Sequence, residues 1–176
     1  MTHTFALATA VAAGCAPAAF APRQVSLVYV QSLAAPPDRV MPLLTPDGER
    51  AWEEDWDPTV LYAAPAPGVG TVFTTRHPGR PPTVWFLEEY DTAHHRVRYV
   101  RMTPGSDVTQ LDIALAPVGA DRTTATVRYT YTGFSDEGNA FVATMTPEHY
   151  EHRLRAWETA LNHFLTTGEL HRAGGH

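Results

Sequence analysis

The strongest constraint on the fold lies near the end of the chain. Between Thr146 and Gly168, the residues Tyr150, Leu154, Trp157, Leu161 and Phe164 recur at spacings of four, three, four and three. That draws one apolar stripe down a helix. Thr146 is placed as N-cap, Pro147 sits in the first turn where proline is tolerated, and Gly168 is placed to stop the helix. About twenty residues at 1.5 Å rise give about 30 Å of helix, enough to cross a whole sheet. Such a stripe must be buried on a broad apolar surface, which the rest of the chain has to supply.

It supplies strands. QVSLVYVQSL (24–33) sets Val25, Leu27 and Tyr29 on one face and Val28 and Val30 on the other. GTVFTTRH (70–77), TVWFLEEYD (83–91), RVRYVRMT (96–103), VTQLDIALA (108–116) and TTATVRYTYTGF (123–134) follow. PGRPP, TAHH, PGSD and PVGADR provide turn chemistry between them. An extended piece near Val60, Leu61 and Tyr62 raises the count to seven strands. Short connections predict an antiparallel meander and no parallel crossovers. After the first strand, AAPPDRVMPLL and TPDGERAWEEDW read as two short helices, the second with Thr45 as N-cap and Pro46 in its first turn. Ser135 caps a further short helical turn in SDEGNAFVAT.

At 176 residues the chain suits a single domain. Thirteen basic against nineteen acidic residues give a net charge of −6, and the basic ones are all arginines without a cluster. That balance argues against nucleic acid and against a basic membrane-binding surface. No apolar run is long enough for a membrane-spanning helix. Cys15 has no partner for a disulfide, and no Cys/His spacing suits structural zinc. His149 and His152 share a helix face without a third ligand, and His94-His95 sits at a turn, so surface positions are expected. GVGT precedes no helix and no G-x-S-x-G elbow occurs. Neither a phosphate cradle nor a serine nucleophile is expected, and no metal or cofactor. Residues 1–23 form an alanine-rich leader in which Ala19-Phe20-Ala21 mimics a signal-peptidase site. With no basic residue before Arg23, a cytoplasmic location is expected over export. The domain is set at 24–168, with 169–176 as a frayed tail.

The segments APPDRVMPLLTPDGERAWEEDWDP, GVGTVFTTRH, YVRMTPG, YTYTGFSDEGNAF and WETALNHFL carry a resemblance. In this order the chain resembles the START-like (SRPBCC) superfamily, which includes polyketide cyclases/aromatases and lipid or hormone carriers. The resemblance covers roughly residues 24 to 167. It implies an α+β helix-grip fold, a seven-stranded antiparallel sheet curved around the long C-terminal helix, with a cavity between them. It specifies an architecture and no single activity.

Within that expectation, ERAWEEDWDP (49–58) lies at the cavity mouth. Trp52 and Trp56 share a helix face and turn inward, while Glu49, Glu53 and Glu54 are read as a solvated face and Asp55 and Asp57 as rim. Alternation places Trp85 with Leu87, Tyr99 with Arg101, and Tyr129 with Tyr131 on shared strand faces. The cavity wall is therefore assigned to Trp56, Phe73, Trp85, Tyr99, Tyr131, Tyr150 and Trp157, with Arg101 as charged anchor. Apolar residues on both faces of several strands leave the inward face open. The leading function is binding of a small hydrophobic or aromatic molecule. A cyclase/aromatase-like enzyme in the same cavity, using Tyr131 or Arg101, is the second, and a protein-interaction module the third.

Overall fold

Seven strands form in the computed structural model, which describes residues 19–66, 68–76, 79 and 81–172. They are β1 (Gln24–Leu33), β2 (Thr59–Tyr62), β3 (Val72–Thr75), β4 (Thr83–Asp91), β5 (Arg96–Thr103), β6 (Asp107–Val118) and β7 (Arg122–Gly133). Every pairing is antiparallel, in the order β1-β7-β6-β5-β4-β3-β2. The first strand closes back on the last, and the remainder is a meander. Helices α1 (Pro37–Val40) and α2 (Pro46–Glu49), with a 3-10 helix at Met41–Leu44 between them, follow β1; α3 (Asp136–Thr144) and α4 (Pro147–Thr167) follow β7. This is the helix-grip arrangement. Most of the leader, residues 1–18, and the last four residues of the tail lie outside the described residues.

The helix ends form where the sequence put the caps. The hydroxyls of Thr45, Ser135 and Thr146 accept from the backbone N–H groups of Gly48, Gly138 and His149. Gly168, at φ 75°, ends α4 in the left-handed conformation that glycine adopts without strain.

How α4 is held determines where space remains. Its fastenings run along β1: Gln31 donates to the Leu154 carbonyl at 3.0 Å, Glu158 accepts from the Ser32 N–H at 2.8 Å, and Asn162 accepts from the Ala34 N–H at 2.8 Å. Beneath this edge Leu33, Val127, Leu161 and Leu165 pack as a closed core. Bulges between Val60 and Tyr62 and between Leu87 and Glu89 bend the far side of the sheet. The helix thus lies against one edge, and the curved strands β3 to β5 open away from it.

One expected element is shorter than the sequence implied. The second helix ends at Glu49, and residues 50–55 continue as turns. Arg50 reaches forward to Asp57 at 2.9 Å and to the Pro58 carbonyl, which pulls the chain out of helical geometry. Asp55, at φ 68°, completes the reversal.

Candidate functional site

Sheet register assembles one wall. Phe73, Trp85, Arg101, Thr109 and Tyr131 stand directly opposite one another across β3 to β7, so all five project to the same face. The neighbouring row on that face carries Leu87, Tyr99, Leu111 and Tyr129. Between these rows and α4 lies a cavity of about 600 Å³.

Aromatic rings build its floor. Phe73 and Trp85 stack at 5.7 Å with a 6° interplanar angle, and Tyr99 meets both edge-on at 6.0 Å. Trp56 closes the box edge-on at 6.1 and 5.9 Å. Most of their polar atoms are already engaged. The Trp85 indole donates to Thr75 Oγ1, the Trp56 indole to the Pro46 carbonyl, and the Tyr99 hydroxyl to the Leu44 carbonyl.

Arg101 is the exception. Its side chain faces the cavity at only 7% exposure, and its buried Nε has no hydrogen-bond partner. Thr109, the small residue opposite it, leaves room for a guanidinium 5.6 Å from the Trp85 ring centroid and 5.8 Å from those of Tyr131 and Phe141. Among the described residues, no carboxylate lies within ion-pair distance of it. Burial pulls its pKa below the ordinary arginine value. Arginine nevertheless remains a cation and a donor only.

Six of the eight residues assigned from sequence line this space: Trp56, Phe73, Trp85, Tyr99, Arg101 and Trp157. Tyr131 and Tyr150 do not border it: both are buried, and neighbouring side chains and backbone take up their hydroxyls. Tyr131 is wholly buried, stacks on Tyr129 at 5.5 Å, and accepts from Arg153 at 2.7 Å. Tyr150 donates to the Val127 carbonyl. Trp157 is half-buried, edge-on to Trp52 at 5.3 Å, and so is part of the rim as much as of the core.

The acidic stretch departs most from expectation. Glu49 is not on a solvated face: it is 4% exposed and borders the cavity. Glu53 is half-buried beside it. Glu49, Trp52, Glu53 and Trp56 are spaced as one helical face, and the Glu53 N–H bonds to the Glu49 carbonyl, so the acids turn inward with the tryptophans. Burial, aided by Glu53, pushes the Glu49 carboxyl well above the usual range. Burial raises Glu53 to about 7, against the pull of Arg153.

Sequence reasoning passed over Arg153, although its position betrays it. It stands three residues after Tyr150 and four before Trp157, inside the apolar stripe. His149 and His152 are exposed on α4, and His94 and His95 occupy the β4–β5 turn. Among the described residues, no group of three or more His, Cys, Asp or Glu is placed to hold a metal ion, and no helix is long and apolar enough to cross a membrane.

Residues 24–162 match the model of a family described as polyketide cyclase / dehydrase and lipid transport. No curated protein sequence matches the chain. Similar solved structures include norcoclaurine synthase from Thalictrum flavum in complex with dopamine and hydroxybenzaldehyde, at TM-score 0.59 and 16% identity over 87% of this chain and 91% of that one. Ara h 8.0201 aligns at TM-score 0.60 and 12% identity over 81% and 98%. The Zhui aromatase/cyclase from a Streptomyces species aligns at 0.51 and 16% over 81% and 92%. At these identities the likeness is one of fold.

Proposed function

Because the chain belongs to the polyketide cyclase / dehydrase and lipid transport family, we propose that its cavity encloses a small aromatic acid, with the rings on the aromatic floor and the acid group on Arg101. The observation that carries this reading is the buried guanidinium at the wall, whose Nε has no hydrogen-bond partner and whose carboxylate neighbour Asp107 acts on it only from beyond ion-pair distance. A buried cation without a contacting counter-ion is costly, and a ligand anion offsets that cost on binding. A cavity of about 600 Å³ accommodates a molecule of two or three fused or linked rings.

A cyclase-like enzyme in the same cavity is the second reading. Glu53 favours it, since an acid with pKa about 7 can both give and accept a proton near neutrality. Displacement of an apolar fluorescent dye tests the first reading. 2-Naphthoate should displace it, and Arg101→Leu should weaken 2-naphthoate by roughly 1.5–3 kcal/mol while sparing 2-naphthalenemethanol. Equal losses for both compounds would count against Arg101 as the anchor.

A further inference from the structure

The charged groups facing the cavity are of two kinds, arginines and carboxyls. Arg101 and Arg153 can only donate. Glu49 is 4% exposed and borders the cavity. Among the described residues its carboxyl has neither a hydrogen bond nor a basic partner within ion-pair distance. An unpaired carboxylate is costly there, so the group keeps its proton and presents an O–H. Glu53 follows one turn later, its N–H bonded to the Glu49 carbonyl at 2.9 Å, which fixes the two acids side by side. A ligand with a single acid group satisfies Arg101 and leaves the Glu49 hydroxyl unmatched.

We propose that Glu49 and Glu53 form a second polar subsite, which holds a carbonyl oxygen of the ligand, so that the enclosed molecule is an aromatic keto acid. The inference rests on the reading that an aromatic acid sits on Arg101. The Glu49 hydroxyl donates to the ketone oxygen, and Glu53 sets the pH range over which the pair remains protonated. The charged and titratable groups facing the pair come from every side. Glu54 and Asp55 lie on its own segment, and Tyr99 and Arg101 on β5. Tyr129 on β7, Arg153 on α4 and His171 beyond α4 complete the set. Of these, Arg153 pulls Glu53 toward ionisation, whereas Asp55 and Glu54 oppose it. Glu53 thus loses its proton within the neutral range, and its charge beside Glu49 then competes for the Glu49 hydroxyl.

The test compares 4-benzoylbenzoate with 4-benzylbenzoate, which differ only in a carbonyl replaced by a methylene, by calorimetry on the full chain. Near pH 6 the benzoyl compound should bind about ten-fold tighter, the scale of one good hydrogen bond in a buried site. The preference should shrink near pH 8.5 in the wild type and persist there in Glu53→Gln. Glu49→Leu should abolish the preference and leave 4-benzylbenzoate within about two-fold; Glu49→Gln, which keeps a donor and the side-chain volume, should retain it. Equal affinities of the wild type for both compounds at both pH values, with Arg101→Leu weakening both, would remove the carbonyl subsite and leave the aromatic-acid reading standing. Failure of both compounds to bind a folded protein would overturn both.

Discussion

Arg153 lies over the face of the Tyr129 ring, its guanidinium carbon 4.7 Å from the ring centroid. The same group donates to the Tyr131 hydroxyl, so a cation from α4 rests on two stacked tyrosines of β7. A leucine at this point in the stripe would let helix and sheet close together. A long side chain with a charged end holds them apart, and the space so kept is continuous with the cavity.

Arg153→Met separates the energetic role of this residue from its spacing role. What the buried charge gains from ring and hydroxyl roughly offsets its desolvation, so the denaturant midpoint should correspond to a change of about 1 kcal/mol or less. Dye affinity should fall as the shorter, uncharged side chain lets helix and sheet close into the cavity. A loss of stability above about 3 kcal/mol would show that the bond to Tyr131 holds the fold together.

Trp52 and Trp157 touch edge-on, yet their substitution should differ in cost. Trp52 is fully buried and donates to the Leu43 carbonyl, so Trp52→Ala should cost about 3–5 kcal/mol. Trp157 already borders open space, so Trp157→Ala enlarges a void more than it creates one, and should cost about 1–2 kcal/mol. Urea melts of the two variants measure this. Equal costs would place Trp157 in the packed core, as the stripe alone suggested.

Glu53 makes stability depend on pH in an unusual direction for a carboxylate. Unfolded, it loses its proton near 4.5; folded, near 7. Between those values the folded chain holds a proton that the unfolded chain has released, so this contribution to stability is fully present below 4.5 and is lost as pH rises through about 7. Glu49, raised by the same burial, acts in the same sense. The loss attributable to Glu53 is on the order of 1–3 kcal/mol, allowing for partial solvent screening. Relative to wild type, Glu53→Gln should therefore gain stability between about pH 5 and pH 8 in urea titrations. A constant difference across that interval would contradict the buried-acid assignment.

Much of the architecture was legible because it rests on local chemistry. Gln24–Leu33, Thr83–Asp91 and Arg96–Thr103 run as strands over the spans their alternation and flanking turns mark out. The caps at Thr45, Ser135 and Thr146 depend only on a hydroxyl and a nearby N–H. The inward face was not legible, because the outer face also carries apolar side chains: Phe86 is 42% and Met102 45% exposed. Only the register from β3 to β7 brings Phe73, Trp85 and Arg101 into one row. The burial of Glu49 and Glu53 was hidden for a different reason. Helical spacing sets them on the same face as Trp52 and Trp56, but carboxylates are seldom buried, and only the packing of this segment against the cavity shows that they turn inward with the tryptophans.

Gly48 fixes the position of those acids. A Cβ built on it would lie 2.0 Å from the Pro42 carbonyl oxygen and 2.9 Å from the Leu43 Cα, both backbone atoms with little freedom to move. The close approach seats α2 against the 3-10 helix and leaves Glu49, the next residue, directed into the cavity. Alanine has the higher helix propensity, by about 1 kcal/mol, so an effect of propensity alone would stabilise the protein. Gly48→Ala should instead destabilise it by about 2–4 kcal/mol through overpacking, and should weaken dye binding at temperatures where the variant remains folded. Thermal melts with dye titrations at a common temperature below both midpoints separate the two effects. A variant as stable as wild type would mean that α2 can lift off Pro42 at little cost. If its dye affinity were also unchanged, the seating of α2 would have no bearing on the cavity.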